Sequence, residues 1–338
     1  MDIFQLTRAL IDIESTTNSE ARVSDFLFEY LAPLAQKFGG TLERQPVERD
    51  RVNILACWEE PRVTLSTHMD TVPPFFASRE DADFIYGRGS CDAKGIIVAM
   101  IEAASQLLAN GVRNIGLLFV VGEEKNGAGA LAAAKDRRGS RFIICGEPTE
   151  NKIAVGSKGT LRYEITASGR MAHSAYPHLG ESAIEKLLDI LQDIRRINLP
   201  VDSLFGPSTL NIGTIEGGRA PNVIPDRARA EILIRLVGDS GPIRAAVTEA
   251  VANRAELREA VCVPPVKLET LPGFSETVAA FTTDIPSFDG SWGTPLLIGP
   301  GSIHVAHTFD ERVSKQDLCD ATDIYIRMVK ALQTRIES

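Results

Sequence analysis

Gly87-Arg88-Gly89-Ser90-Cys91-Asp92-Ala93-Lys94-Gly95 runs straight into a helical apolar pattern from Ile96 to Leu108. Glycines flank one carboxylate on both sides. Glycine tolerates positive φ and close approach of the backbone. A helix N-terminus favours negative charge just before it. The stretch therefore predicts a tight turn that holds Asp92 in front of a buried helix. Taken alone, Asp92 reads equally well as an N-cap. The second reading, a carboxylate aimed into a site, gains from acidic and histidine residues elsewhere, each placed after an apolar strand.

Upstream of the turn, Ile3, Leu6, Leu10 and Ile13 share one helical face, and Asn18 and Ser19 are positioned to cap a second helix that ends at Gly39-Gly40. Strand-like runs follow at 41–47, 53–58 and 62–67. Downstream, the helix closes at Asn110-Gly111, and 115–121 is a continuous apolar run, as in a strand buried on both faces. A short alanine-rich helix (127–134) and a buried strand (142–145) complete an alternation typical of an α/β layered domain. The pattern changes near Lys158. Strand 161–167, helix 181–194, strands 209–216 and 227–236, helix 243–255 and strand 261–268 give the order β-α-β-β-α-β of a split ferredoxin-like unit. The chain then returns through 296–298 to a final helix, which Ser314 can cap. The expected fold is thus α/β. A domain with a central mixed sheet flanked by helices (1–157 and 266–338) is interrupted by an inserted α+β domain (158–265).

The chain has 338 residues and a net charge of -9, which argues against nucleic acid or an anionic membrane as partner. No apolar run is long enough to span a bilayer, and Met1-Asp2-Ile3-Phe4 lacks the basic start of a secretory signal. Cys57, Cys91, Cys145, Cys262 and Cys319 stand singly, so neither a zinc knuckle nor a disulfide framework is suggested. A reducing, cytoplasmic location is expected.

The strand ends carry the chemistry. His68 and Asp70 lie two apart at the end of 62–67, on one face, where the aspartate can orient the imidazole. Glu123 and Glu124 follow the 115–121 run through Gly122. Two adjacent carboxylates are costly to bury without a cation. Glu147 follows 142–145 and precedes Pro148, which fixes the turn. Gly299-Pro300-Gly301-Ser302-Ile303-His304-Val305-Ala306-His307 follows the last strand. In α/β sheets ligands bind beyond the carboxyl ends of the strands. A two-metal carboxylate and imidazole site accounts for Asp70, Asp92, Glu123, Glu124, Glu147, His68 and His307 together. Nitrogen and oxygen donors without thiolate suit zinc, cobalt or manganese.

On these motifs, in this order along nearly the whole chain, the sequence resembles the di-zinc aminoacylase and carboxypeptidase family. That family includes acetylornithine deacetylase, succinyl-diaminopimelate desuccinylase, aminoacylase, carboxypeptidase G2-like enzymes and dinuclear tripeptidases. The resemblance implies two divalent cations, zinc first and cobalt or manganese as alternatives. It assigns His68 and Glu147 to one cation, Glu124 and His307 to the other, and Asp92 to both. Asp70 orients His68, and Glu123 is the general base. His307 is preferred to His304 because Ala306-His307-Thr308-Phe309-Asp310-Glu311 matches the family's terminal pattern of a histidine followed closely by an acidic pair.

The resemblance also makes the inserted domain a lid and dimerisation domain. Gly169-Arg170-Met171-Ala172-His173-Ser174 carries a lid histidine, His173, expected to reach a partner's site. Asn222, within Gly217–Asp226, and Arg235 are expected to hold substrate, the arginine through a carboxylate. Thr282-Thr283-Asp284, in a loop near substrate, can meet a cationic side chain. The leading expectation is hydrolysis of an N-acyl amino acid, most like acetylornithine deacetylase. The alternative is a di-zinc peptidase acting on dipeptides, tripeptides or carboxy-terminal residues. A ureido or carbamoyl amidohydrolase and a metal-free binding protein on the same fold are further readings.

Overall fold

The computed structural model describes residues 1–337. Its contacts divide the chain into two compact units. The first comprises Met1–Val155, Leu268–Thr277 and the chain from Thr283 onward; the second comprises Gly156–Lys267 and Val278–Thr282.

The first unit is built on a six-stranded sheet. Its order is Thr41–Glu48, Arg51–Trp58, Ile115–Val120, Val63–His68, Phe142–Cys145 and Thr294–Leu297. The first two strands pair antiparallel, and Arg51–Trp58 is antiparallel to Ile115–Val120. The remaining pairings are parallel, so the sheet is mixed. Val63–His68 and Ile115–Val120 are buried at every position. That explains the unbroken apolar run of Ile115–Val120, since helices cover both faces of such strands; Val63–His68 instead buries Thr64, Ser66, Thr67 and His68. The helix Lys94–Ala109 is buried around most of its circumference and packs on the first helix, Ile3–Ile11, and the last, Lys315–Glu337.

Two local expectations change. The helix Ala21–Phe38 begins with Glu20 at its N-cap and no side-chain cap bond, rather than being capped by Asn18 or Ser19. Glu20 is committed elsewhere: its buried carboxylate pairs with Arg51, at 2.6 Å to Nη2 and 3.0 Å to Nε. The helix Lys94–Ala109 has Ala93 at its N-cap, again with no side-chain cap bond. Asp92 is therefore not a helix cap.

The second unit is a four-stranded antiparallel sheet in the order Thr209–Gly217, Arg227–Leu236, Gly159–Ser168, Glu256–Val263. The helices Ala183–Arg195 and Gly241–Val251 cover one face through Leu187, Ile190, Ile194, Val247 and Val251. The second helix stops at Val251, where Ala252 takes φ 46°, and the last strand starts at Glu256. Helix and strand were both expected several residues later. The strand lies at the sheet edge, so Glu256-Leu257-Arg258-Glu259 lacks the apolar run that marks a buried strand.

Candidate metal centre

Parallel strands place their carboxyl ends together. His68 is the last residue of Val63–His68, Glu123 and Glu124 follow Ile115–Val120, and Glu147 follows Phe142–Cys145. His307 lies in the loop after Thr294–Leu297, which runs parallel to Phe142–Cys145. Gly122 turns the chain at φ 83°, and a Cβ there would sit 2.6 Å from Arg51 Nη2. A Cβ on Gly146 would sit 2.3 Å from Ile96 Cγ2, so only glycine lets the helix press against this strand end.

Asp92 sits between the two histidines. Its Oδ1 is 2.9 Å from His68 Nε2, and its Oδ2 is 3.3 Å from His307 Nε2. His307 Nε2 also lies 3.1 Å from Glu124 Oε1. Asp92 and His68 are buried, whereas His307 is half exposed. The Asp92–Ala93 peptide bond is cis.

Asp70 holds the site in a different way from the one expected. His68 Nδ1 is 3.0 Å from the Asp70 carbonyl oxygen and 3.6 Å from the carboxylate, so the carbonyl is the nearer acceptor. The carboxylate accepts the backbone N–H groups of Gly122 at 2.9 Å, Glu123 at 3.1 Å and Glu124 at 3.3 Å. The Thr17 hydroxyl donates to it at 2.8 Å. One residue thus fixes both the imidazole and the turn that carries the paired glutamates. Thr17 was not singled out from the sequence; only its partner across the fold gives it meaning.

Two sets of donor atoms lie within 4.8 Å of one another: His68, Asp92 and Glu124 form one, and His68, Glu123 and Glu147 the other. A cavity of about 10 Å³, lined by His68, Glu123, Glu147 and Asp284 among others, adjoins them. That is room for about one water. Asp284 Oδ2 is buried with no hydrogen-bond partner among the described residues.

The electrostatics are those of a carboxylate cluster short of positive charge. Burial, with Glu147 beside it, pushes Glu123 well above the usual carboxylate range. Burial and the charges of Asp92 and Glu124 do the same to Glu147. Burial and Asp92 raise Glu124. Burial, Asp70 and Glu124 bring Asp284 to about 7. Burial opposes ionisation of Asp92 too, but hydrogen bonds from His307 and His68 hold it below its ordinary value. The hydrogen bonds to Asp92 and Glu124 push His307 up to about 10. A buried group of carboxylates this crowded, with an orphaned Asp284 oxygen at its edge, suits divalent cations in charge and donor type.

The remaining candidates lie in the second unit. His173 pairs with Val223 in a short antiparallel bridge, and Ser174 N–H donates to the Asn222 carbonyl at 3.0 Å, so that unit brings His173 and Asn222 side by side. Arg235 Nη1 donates to Thr160 Oγ1 at 2.8 Å and Thr282 Oγ1 at 3.2 Å. His304 belongs to neither donor set and is exposed.

The profile of peptidase family M20/M25/M40 matches residues 64–331. The chain belongs to that family. M20 membership makes it a metal-dependent hydrolase of amide bonds. A peptidase M20 domain-containing protein of Schizosaccharomyces pombe is 39% identical over 340 residues, spanning 97% of this chain and 84% of the relative. A probable carboxypeptidase of Aspergillus clavatus is 39% identical over 375 residues, spanning 97% and 82%. Among solved structures, an M20 family metallo-carboxypeptidase from Sulfolobus solfataricus superimposes with a TM-score of 0.79 at 16% identity, covering 98% of this chain and 99% of that one. That likeness shows a shared M20 fold, the α/β fold with a mixed sheet that the sequence implied. Among the described residues, no helix is long and apolar enough to cross a membrane.

Proposed function

We propose that this chain is an M20 metallocarboxypeptidase that cleaves short peptides by general-base attack of water, with Glu123 as the base. The convergence of His68, Asp92, Glu123, Glu124, Glu147 and His307 at one set of strand ends carries the hydrolytic reading. The naming of curated relatives as probable carboxypeptidases favours a peptidase over the acetylornithine deacetylase expected first.

In this reading His68 and Glu147 hold one cation, Glu124 and His307 hold a second, and Asp92 serves both, one carboxylate oxygen facing each histidine. When bound, the cations supply Lewis-acid polarisation of the scissile carbonyl and lower the pKa of water. Zinc, cobalt and manganese all suit the donors. Glu123 accepts a proton from the attacking water and returns it to the leaving amine. The raised pKa of Glu123 suits a group that must both take and give a proton. Arg235 receives the substrate's free carboxylate, and Asn222 contacts the substrate backbone. The second unit serves as a lid, and the partner subunit's His173 donates a hydrogen bond to the developing oxyanion.

The test is a panel of dipeptides, tripeptides, N-acetyl and N-succinyl amino acids, assayed with zinc, cobalt and manganese. Peptides with a free carboxy-terminus should show the highest kcat/KM. A higher value for N-acetylornithine than for any peptide would overturn the carboxypeptidase reading. Light scattering decides the dimer.

A further inference from the structure

Glu311 is buried, and its carboxylate is used entirely by the loop that carries Asp92. Oε1 accepts the N–H of Gly89 at 2.8 Å and that of Asp92 at 3.4 Å, and the Cys91 thiol lies 3.8 Å away. Oε2 accepts from Arg88 Nη1 at 2.5 Å. Arg88 is itself buried; its Nε donates to the Pro74 carbonyl at 3.2 Å, and its guanidinium lies over the Phe76 ring. The backbone joins in, because the Gly87 N–H donates to the Glu311 carbonyl at 3.1 Å. The next residues, Arg312–Ser314, pair antiparallel with Phe84–Tyr86, the strand just before Gly87. Glu311 stands four residues after His307. It is therefore a rivet between the two loops that present Asp92 and His307 to each other.

We infer that Glu311 is a positioning residue for the metal centre: its carboxylate sets the backbone of Gly89–Asp92 so that Asp92 faces both histidines. The inference rests on the two-cation reading of the site. Two physical effects follow from it. Withdrawing the carboxylate frees the Asp92 N–H, so the Asp92 side chain loses its fixed direction. Neutralising it leaves the Arg88 charge uncompensated beside a site that must accept cations. Groups behind metal ligands typically change metal affinity by roughly ten- to a hundredfold.

The experiment is calorimetric titration of zinc into the chelator-stripped full-length protein, with the visible absorption of cobalt as a second readout. Glu311→Gln should weaken cation binding roughly tenfold or more and change the cobalt spectrum. Glu311→Asp keeps the partner of Arg88 and so keeps the fold, yet draws the carboxylate back from Gly89 and Asp92. It should weaken binding roughly tenfold and shift the cobalt spectrum in protein that stays folded throughout the titration, with a smaller loss of melting temperature than Glu311→Gln; a purely structural role would lower the melting temperature but leave the spectrum of the folded, cobalt-loaded protein unchanged. Wild-type affinity and spectrum in Glu311→Asp, or in folded Glu311→Gln, would overturn the inference. Titration of the wild-type protein separately decides whether cations bind at all, so failure of the hydrolase reading is distinguishable from failure of this one.

Discussion

His307 Nε2 lies 3.1 Å from Glu124 Oε1, although 183 positions separate them in the chain. The contact joins the loop after the last sheet strand to the turn after a central one. In the proposed site these two groups share a cation. Replacing His307 by alanine should remove one of two bound metal equivalents and leave the other. Elemental analysis after dialysis checks this, and retention of both equivalents would count against His307 as a ligand.

Glu123 belongs to one of the two donor sets, with His68 and Glu147, yet the mechanism asks it to move protons rather than hold metal. Glu123→Ala should retain its metal content and lose at least about a hundredfold in kcat, the usual contribution of a general base. Steady-state assays beside metal analysis measure both. Loss of a metal equivalent would reassign Glu123 as a ligand.

Asp70 accepts three consecutive backbone N–H groups and one hydroxyl. An alanine at this position leaves those donors without their acceptor in a buried place. The expected loss is at least about 3 kcal/mol of unfolding free energy, since each orphaned buried donor costs about 1–3 kcal/mol. Denaturant unfolding of the metal-free protein gives the number. A change below about 1 kcal/mol would show that water replaces the carboxylate.

The Arg51–Glu20 pair is buried at both ends. Arg51→Leu strands the Glu20 carboxylate and should destabilise the fold by about 3–5 kcal/mol, whereas replacing both residues with apolar ones should cost much less. Thermal melts of the single and double variants make the comparison. Equal losses would mean that packing, not charge, dominates there.

Tyr325 is fully buried, and its hydroxyl donates to the Ile298 carbonyl at 2.9 Å. Burial, reinforced by the charges of Glu147 and Cys145, raises its phenol well above the ordinary value. A raised acid favours the fold in its neutral form. Its contribution is therefore complete below about pH 10, the usual phenol value, and is lost as pH rises toward the folded pKa. Tyr325→Phe should lower stability by about 1 kcal/mol at neutral pH, yet flatten the alkaline decline. Melting temperatures from pH 8 to 11 test this, and parallel declines in the two proteins would contradict it.

Much of this molecule could be read in one dimension because two of its inner strands, Ile115–Val120 and Phe142–Cys145, are apolar along their whole length. The runs ending at Val121 and Cys145 announced strands buried on both faces, and the polar residues just beyond them, Glu123, Glu124 and Glu147, stood out by contrast. What could not be read depends on partners far away in the chain. Glu20 caps nothing because Arg51 claims it. The Asp70 carboxylate serves the 122–124 turn more than the imidazole two residues before it. Glu311 was visible only as part of an acidic pair after His307; its grip on Gly89 and Asp92 needs the pairing of Arg312–Ser314 with Phe84–Tyr86. The edge strand Glu256–Val263 was misplaced because an edge demands no apolar run. Peptidase and deacylase sites of this kind share their ligands, so the same motifs suited both.

The His307 loop follows Thr294–Leu297, the strand at the far edge of the six-stranded sheet, and that strand reaches the sheet only after the inserted unit has been traversed. During synthesis, His68, Asp92 and Glu124 are complete long before their last companion emerges. In the proposed two-cation site the ligands of the second ion are therefore complete only when the last sheet strand has docked, and a chain halted before it would hold the crowded carboxylates without His307. On that reading, cations bound there would stabilise chains whose final strand has docked over those in which it has not.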